Sequence, residues 1–266
     1  MADLDALRDE LRRLAPVVVA FSGGADSAFL AWVAHDTLGA AGSRAVTAVS
    51  PSLAPEEEAE CRSLADEWGL SWSPVFTDEL ADPAYVANDG ERCYRCKVAL
   101  LDAVAPVVDA AEGATVVLGV NLDDLGDHRP GQRAAAEGGA AFPLVDAGFT
   151  KDDVRAWSKH LGLRTWDKPA AACLASRVPY GTAVTLGVLE SVATAESALR
   201  ALGYRQVRVR HYGDLARLEL EAPDLERAVA ARAEVVAAVR SAGYTYVTLD
   251  LEGFRSGNLN QALRES

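Results

Sequence analysis

The hydrophobic pattern of the first two thirds of the chain alternates between short apolar runs and helical periods. Runs rich in β-branched residues predict strands, at 17–21, 45–50, 72–76 and 114–120. Stretches of helical periodicity predict helices, at 25–38, 55–70, 97–111 and 150–163, with Thr150 as the N-cap of the last. Buried strands that alternate with helices indicate an α/β fold with a doubly wound parallel sheet. Such sheets bind their ligands beyond the carboxyl ends of the strands.

The pattern changes near residue 180. A long helical stretch over 184–202 is followed by two alternating stretches that predict strands, 204–213 and 215–221. An alanine-rich helical stretch over 224–241 and a last strand over 244–251 complete the order α-β-β-α-β. We therefore expect two domains, a larger α/β domain over 1–180 and a small α+β domain over 181–266. The alternation of Val and Arg over 207–210 predicts a strand with one buried face.

Charge and composition indicate which partners are disfavoured and where in the cell we expect the protein. Of the 266 residues, 50% are apolar and 24% are charged, which is typical of a soluble globular protein. The net charge of −13 repels phosphates and so disfavours a nucleic-acid partner. No apolar run is long enough to span a membrane. Near the N-terminus, leucines recur at helical spacing and predict an amphipathic helix, not a signal peptide: Leu4, Leu7, Leu11 and Leu14. We therefore expect a cytoplasmic protein.

The first predicted strand runs into the sequence SGGADS and then into a helix. Glycines allow backbone N–H groups to approach an anion, and a helix N-terminus adds positive potential. Ser22 and Ser27 add hydroxyl donors, and Asp26 can fix the loop or help to hold a metal near phosphates. The lysine of the G-x-x-x-x-G-K loop is absent. The sequence thus predicts a phosphate-binding loop, with a ligand-free strand-to-helix turn as the alternative.

This loop resembles that of the PP-loop ATP pyrophosphatases, which cleave ATP to AMP and pyrophosphate and activate an oxygen as its adenylate. The resemblance implies that five loop residues hold the pyrophosphate moiety of ATP with Mg²⁺ bridging the phosphates: Ser22, Gly23, Gly24, Asp26 and Ser27. It also implies a place beside the adenine for Ser50 and a nucleotide role for Gly119 and Asn121. Asp123 and Asp124 could serve a metal or the substrate, or form a solvated acidic loop.

Three further stretches, 167–185, 207–220 and 246–260, resemble the LarE-type ATP-dependent sulfur transferases. The resemblance implies that a carboxylate of pyridinium-3,5-biscarboxylic acid mononucleotide is adenylated and becomes a thiocarboxylate, in the synthesis of a nickel-pincer nucleotide. It also implies a homo-oligomer, of which a hexamer is one form.

The same resemblance assigns residues in these stretches. It implies that Arg208 and Arg210 bind the phosphate of the substrate. It also places Ser176 and Arg177 in the active site beside Cys173. It also places Glu196 and Glu219 near a divalent metal. A solvated strand face is the alternative for the two arginines on the strand, and plain surface positions are the alternative for the two glutamates.

Cysteines carry the prediction of the sulfur source. Because thiols in a reducing compartment are more often ligands or reactive groups than disulfides, Cys93 and Cys96, as C-x-x-C, and Cys173 are candidates. Cys61 is expected in the core. In this family a sacrificial cysteine can donate its own sulfur, but that position falls here at Ala172. The alternative source is a [4Fe–4S] cluster on three cysteines, whose fourth iron accepts sulfide from a sulfide donor.

Other interpretations of the cysteines and of the chain stay open at this point. The thiols could hold zinc together with a histidine such as His128, form a redox pair, or leave Cys173 as a sacrificial donor without a cluster. The chain could thiolate tRNA, although its acidity argues against this. It could also be a zinc-stapled ATP-binding protein without turnover.

Overall fold

The computed structural model describes residues 1–126, 130–169 and 172–255. These residues form two compact units. The first holds residues 1–79 and the described residues from 93 to 169, and the second holds residues 80–92 and the described residues from 172 onward. The segment 80–92, which the sequence had placed with the larger domain, therefore belongs to the second unit.

The helices and strands are numbered here in chain order. The helices are α1 (Leu4–Leu14), α2 (Ala25–Gly42), α3 (Pro55–Trp68), α4 (Pro83–Val86), α5 (Arg92–Ala110), α6 (Pro130–Glu137), α7 (Pro143–Asp146), α8 (Lys151–His160), α9 (Leu186–Ala201), α10 (Leu225–Ala230) and α11 (Arg232–Arg240). The strands are β1 (Val17–Ala20), β2 (Ser43–Val49), β3 (Trp72–Phe76), β4 (Thr115–Leu118), β5 (Val207–Tyr212), β6 (Leu215–Leu220) and β7 (Tyr246–Leu249). Short 3-10 turns cover Glu79–Ala81, Leu122–Gly126, Leu174–Arg177 and Ala222–Asp224.

The first unit contains a four-stranded parallel sheet in the order β3-β2-β1-β4. The α/β prediction and its four strands are confirmed. The side chains of β1 explain the layers: Val17 and Val19 pack with Phe29 of α2, whereas Val18 packs with Val104 of α5. Apolar side chains on both faces of the strand therefore require helices on both faces of the sheet.

The strand order places two loops at one crevice. From β1 the chain proceeds to β2 and β3 on one side, and β4 then pairs with the other edge of β1. The loops that follow β1 and β4 diverge from this switch point, which is where open α/β sheets bind ligands. Topology alone thus brings residues 21–27 and 119–126 to the same edge of the sheet.

Helix α8 begins with a capping box. The hydroxyl of Thr150 accepts a hydrogen bond from the backbone N–H of Asp153, and the Asp153 carboxylate accepts one from the Thr150 backbone N–H. The carboxylate also accepts a hydrogen bond from Ala2 N at 2.9 Å. The hydrogen bonds that the Asp153 carboxylate accepts lower its pKa to about 2, and the bond donated by the Thr150 hydroxyl contributes most to this shift. The prediction of Thr150 as N-cap is confirmed.

The second unit contains a three-stranded sheet in which β5 and β6 are antiparallel and β6 and β7 are parallel. Val207 and Val209 of β5 pack in one core with Leu199 of α9 and Val239 of α11. The α-β-β-α-β order is confirmed, but the helix predicted over 224–241 is divided into α10 and α11 at Ala231. Ala231 has φ −91 and ψ 25, outside the helical range, so the helix restarts there.

Segment 80–92 is fixed within the second unit by Asn88. This residue has φ 56, is fully buried, and donates its side-chain amide to the carbonyls of Val178, Pro179 and Thr182 at 2.8–3.3 Å. Asparagine tolerates this left-handed conformation better than most residues. Arg92 in turn donates to the Ala175 carbonyl at 2.9 Å. The residue before Cys93 is therefore held by the turn that follows Cys173.

In the described part of the chain, no helix has the length and apolar character needed to cross a membrane.

We predict that Asp153→Asn lowers stability at neutral pH and that this difference disappears in acid. The folded-state pKa of Asp153 lies below its ordinary value of 3.8, so its carboxylate stabilises the fold above that value. The stabilisation is lost as the pH falls toward 2. Urea unfolding of both proteins at a series of pH values measures the difference. A deficit that stays constant from neutral pH to the acid limit would contradict this account.

Candidate functional site

The loop between β1 and α2 has the geometry of an anion cradle. Gly23 adopts φ +69, and Gly24 is the N-cap of α2. The hydroxyls of Ser22 and Ser27 lie 3.0 Å apart, and the Ser27 hydroxyl donates to the Gly24 carbonyl at 3.2 Å. The Ser22 N–H donates to Ser27 Oγ at 3.2 Å. Two hydroxyls and the amides of the first turn of α2 therefore surround the loop, which suits a phosphate.

The loop after β4 packs directly on this cradle. A Cβ placed on Gly119 would lie 2.7 Å from the backbone nitrogen of Ser27 and 2.9 Å from the carbonyl carbon of Asp26. Asn121 is fully buried, and its side-chain amide donates to Asp26 Oδ1 at 3.1 Å. The structure thus brings together the loop and two residues that the sequence had associated with the nucleotide. Any side chain at Gly119 would displace the start of α2.

Two carboxylates in this region, those of Asp26 and Asp124, are both hydrogen-bonded to Asn121. Burial raises the pKa of Asp26, the hydrogen bond from Asn121 opposes this shift, and the charge of Asp124 adds to it. Asp124 is buried and accepts from Asn121 N at 3.3 Å, so it is not a solvated loop residue. Asp123 is exposed and accepts from the Lys151 N–H at 2.7 Å. Asp26 and Asp124 are the pair that could share a Mg²⁺ with phosphate oxygens.

Glu79 is a functional candidate that sequence reasoning missed. Its carboxylate is buried and accepts hydrogen bonds from the hydroxyls of Ser50 and Thr77, both at 2.9 Å. The thiol of Cys96 donates at 3.8 Å to Glu79 Oε1, the oxygen that also accepts from Ser50. A carboxylate buried among three donors at the carboxyl ends of β2 and β3 connects the predicted adenine residue Ser50 with the C-x-x-C thiol. Only a fold could reveal it, because 29 residues separate Ser50 from Glu79.

The two cysteines of the C-x-x-C lie in the first turn of α5, which begins at Arg92. The expectation that the C-x-x-C precedes a helix starting at residue 97 was therefore wrong. Helical spacing of three residues places the two thiols on one face. Cys93 is exposed and Cys96 half-buried, whereas Cys61 is fully buried in the core, as expected. Burial raises the pKa of Cys61 to about 11, so that thiol stays protonated.

In the second unit, the 3-10 turn Leu174–Arg177 follows the exposed Cys173. Both the N–H and the hydroxyl of Ser176 donate to the Cys173 carbonyl, at 3.0 and 2.7 Å. Arg177 donates to the same carbonyl at 2.8 Å. The Cys-x-x-Ser-Arg sequence therefore closes on itself, and the Cys173 side chain stays accessible at the start of the turn.

Arg177 also belongs to a buried group of charges. Its guanidinium is bidentate to Glu196, with 2.8 and 2.9 Å contacts, and Arg200 donates to the second oxygen at 2.8 Å. Glu196 is fully buried and also accepts from Val209 N at 3.0 Å. Burial opposes its ionisation, but the charge and hydrogen bond of Arg177 outweigh this and lower the pKa of Glu196.

A second fully buried glutamate, Glu219, has the same arrangement. Arg210 donates to its Oε2 at 2.7 Å and Arg217 to its Oε1 at 3.0 Å. Arg210 also donates to the Ser176 carbonyl at 2.8 Å. These contacts connect β5 and β6 to the turn after Cys173.

Arg208 lies beside these pairs on β5. It is 6% exposed, donates to the Val207 carbonyl at 3.0 Å and stands 5.2 Å from the ring centre of Phe254. Burial, together with the charges of Arg177 and Arg210, lowers the pKa of Arg208 to about 10, and the charge of Glu196 opposes this shift. Positive potential therefore exceeds negative potential at this point. An anion there would relieve it.

These contacts exclude two alternatives that the sequence left open. The arginine face of β5 is not solvated, and both faces of the strand are buried, because the turn after Cys173 and Phe254 cover the arginines. Glu196 and Glu219 are not surface residues, since each has guanidinium groups on both oxygens. Their place near a divalent metal stays a prediction.

In the ranges that the structure describes, no three His, Cys, Asp or Glu side chains lie together in an arrangement that could hold a metal ion. His128, the histidine considered as a zinc ligand, lies outside those ranges, as do residues 256–260 of the last LarE-like stretch. Cys93 and Cys96 belong to the first unit and Cys173 to the second. The three-cysteine site therefore stays a prediction.

Known proteins resemble the chain along almost its whole length. No family model matches it. A protein from Lactiplantibacillus plantarum named pyridinium-3,5-bisthiocarboxylic acid mononucleotide synthase is 38% identical over 256 residues, which are 96% of this chain and 93% of that protein. The chain belongs to the LarE family of sulfur transferases.

Two uncharacterised proteins are also similar to this chain. One from Synechocystis sp. is 45% identical over 98% of this chain and 97% of its own length. One from Methanocaldococcus jannaschii is 26% identical over 90% of this chain and 91% of its own length. The similarity thus extends across both compact units of this chain.

We predict that Gly119→Ala disrupts the nucleotide site. The new Cβ would overlap the backbone of Asp26 and Ser27, so the start of α2 must move. We expect a loss of stability of about 1–3 kcal/mol, as for an overpacked site, and at least a tenfold loss of ATP affinity in calorimetry.

The matched control is Gly187→Ala, at the start of α9, where a Cβ meets no atom within 4 Å. This variant should bind ATP normally and be unchanged or slightly more stable. Equal ATP affinity in both variants would show that the loop after β4 does not support the cradle.

Proposed function

We propose that the protein is an ATP-dependent sulfur transferase that converts a carboxylate of pyridinium-3,5-biscarboxylic acid mononucleotide into a thiocarboxylate. The observation that carries this proposal is the near full-length identity of 38% with the L. plantarum protein, whose name describes the bisthiocarboxylic product. The cradle of the first unit and the arginine group of the second support it independently, since the reaction needs a nucleotide and an anionic substrate.

Activation of the carboxylate is the first step. A carboxylate oxygen attacks the α-phosphorus of ATP, the bond to the bridging oxygen breaks, and pyrophosphate leaves. The hydroxyls of Ser22 and Ser27 and the amides that follow Gly24 would hold the pyrophosphate oxygens. Asp26 and Asp124 would hold a Mg²⁺ ion, which would neutralise part of the phosphate charge. Adenylation supplies the leaving group that a carboxylate lacks.

The arginine group would seat the substrate phosphate. Arg208 and Arg210 are both nearly buried on the same face of β5, and the Nε of Arg210 has no hydrogen-bond partner among the described residues. Glu196 and Glu219 hold the neighbouring guanidinium groups in fixed positions. Orientation of the donors before the substrate arrives reduces the entropy lost on binding.

Sulfur transfer is the second step. A sulfur nucleophile attacks the acyl carbon, the bond to the AMP oxygen breaks, and AMP leaves. Cys93 and Cys173 are exposed and Cys96 is half-buried, and thiolates are the usual protein ligands of a [4Fe–4S] cluster, so the three side chains suit that role. When bound, the cluster supplies sulfide through an iron without a protein ligand.

The overall proposal is tested by incubating the protein with ATP, Mg²⁺, a sulfide source and the biscarboxylic mononucleotide. We expect pyrophosphate release that depends on the mononucleotide, and a mass increase of one sulfur-for-oxygen exchange in the product. Release of pyrophosphate that is indifferent to the mononucleotide would contradict the substrate assignment. Absence of release and of ATP binding would contradict the enzyme assignment.

For the substrate site, we predict that Arg208→Gln raises the KM for the mononucleotide at least tenfold and leaves the KM for ATP within twofold. The lost ionic hydrogen bonds to phosphate are each worth about 1.5–3 kcal/mol. Arg232→Gln, at an exposed position on α11, is the control and should match the wild type. Equal effects on both KM values would indicate a general disruption and not a phosphate site.

For the sulfur source, we predict iron and acid-labile sulfide after anaerobic purification, with about four irons per chain. Cys93→Ser should lose both, whereas Cys61→Ser, in the core, should retain them if it folds. Stoichiometric zinc in place of iron would favour a structural metal. Absence of any metal, with loss of H₂S from Cys173 after reaction, would favour a sacrificial cysteine.

A further inference from the structure

Lys168 lies over the phosphate loop, although it is far from the loop in sequence. A Cβ placed on Gly23 would be 3.7 Å from the Nζ atom of Lys168. The Lys168 side chain is only 17% exposed. The SGGADS loop itself contains no lysine. The structure therefore supplies, from a distant segment, the ammonium group that the loop lacks.

The ammonium group of Lys168 is paired with a carboxylate of α3. Its Nζ atom is 2.8 Å from Glu57 Oε2. Glu57 lies in the first turn of α3, where the helix N-terminus stabilises a negative charge without any help from a lysine. Glu57 therefore keeps a favourable environment if Lys168 leaves it.

The backbone around Lys168 is held independently of this ion pair. Arg155 of α8 donates to the carbonyls of Trp166 and Lys168, at 3.1 and 3.3 Å. The Lys168 N–H donates to the Thr165 carbonyl at 3.1 Å. Since the backbone is fixed by other groups, the side chain can change partner while its attachment point stays above the loop.

We propose that Lys168 exchanges Glu57 for the β- and γ-phosphates of ATP and neutralises the pyrophosphate that leaves. This inference rests on the proposed use of ATP. The lysine keeps its proton throughout, and no bond to it forms or breaks: its charge moves from one anion to another. Negative charge on the leaving pyrophosphate grows in the transition state, so a cation beside Gly23 stabilises that state.

The ion pair with Glu57 then acts as a competitor of the nucleotide. While Glu57 holds the ammonium group, binding of the phosphates must first break a partly buried contact. Removing the charge of Glu57 removes this competition, whereas removing the charge of Lys168 removes the contact itself. The two substitutions should therefore change phosphate affinity in opposite directions.

The test is calorimetric titration of the full chain with pyrophosphate and with ATP, both with Mg²⁺ and at one fixed ionic strength. We expect Lys168→Met, which keeps an apolar side chain, to weaken both affinities roughly tenfold or more. Glu57→Gln should strengthen them about three- to tenfold. In the double variant the gain from Glu57→Gln should vanish, because no ammonium group is left to release.

The matched control is Arg164→Ala. Arg164 comes from the same segment and pairs with Glu67 of the same helix α3, at 2.6 Å. It should leave both affinities unchanged. Melting temperatures of all variants show whether each one folds.

Three results would overturn the proposal. If wild type binds pyrophosphate but Lys168→Met binds it equally well, the pair is only a structural tie between the segment and α3. The same conclusion follows if both single variants lose affinity together with stability. If wild type binds neither ATP nor pyrophosphate, the proposed function fails first, and this inference fails with it.

Discussion

Strand β1 is hydrogen-bonded to β2 on one edge and to β4 on the other, and its valines are buried on both faces. A strand in that position can expose polar groups only beyond its ends. The chain uses the carboxyl end, where the apolar run stops at Phe21 and the glycines begin. The proposed nucleotide site depends on this burial of β1. It fixes the cradle between β2 and β4, and it allows the loop after β4 to pack on the cradle.

The second unit holds several arginines close together, and three of them are buried: Arg177, Arg208 and Arg210. Like charges at such distances repel strongly in a medium of low polarity. Glu196 and Glu219 reduce this repulsion by each holding two guanidinium groups. The compensation is incomplete at Arg208, whose pKa falls to about 10 chiefly through burial. A buried group with excess positive charge is expensive to form, and a phosphate-bearing ligand gives a physical reason for its presence.

Two carboxylates link the predicted ligand sites to the rest of the first unit, and no sequence pattern indicated the role of either one. Glu79 joins Ser50 to Cys96, and Glu57 holds Lys168 above Gly23. Both lie among ordinary acidic residues in the sequence and carry no motif. Their significance comes from the partners that the fold supplies, and a charged residue acquires a specific partner only when segments distant in the chain are packed together.

The sequence by itself determined the elements whose signal is local. Short apolar runs and helical patterns located β1 to β4 and most helices, SGGADS indicated the cradle, and the capping residue Thr150 located the start of α8. Family motifs indicated a sulfur transferase, which the identity of 38% supports. Only the tertiary structure decided that the arginines of β5 are buried, that Glu196 and Glu219 are saturated by guanidinium groups, and that Lys168 lies over the loop. Periodicity and caps depend on neighbours within a few residues, whereas burial and charge pairing depend on contacts between residues far apart in the chain.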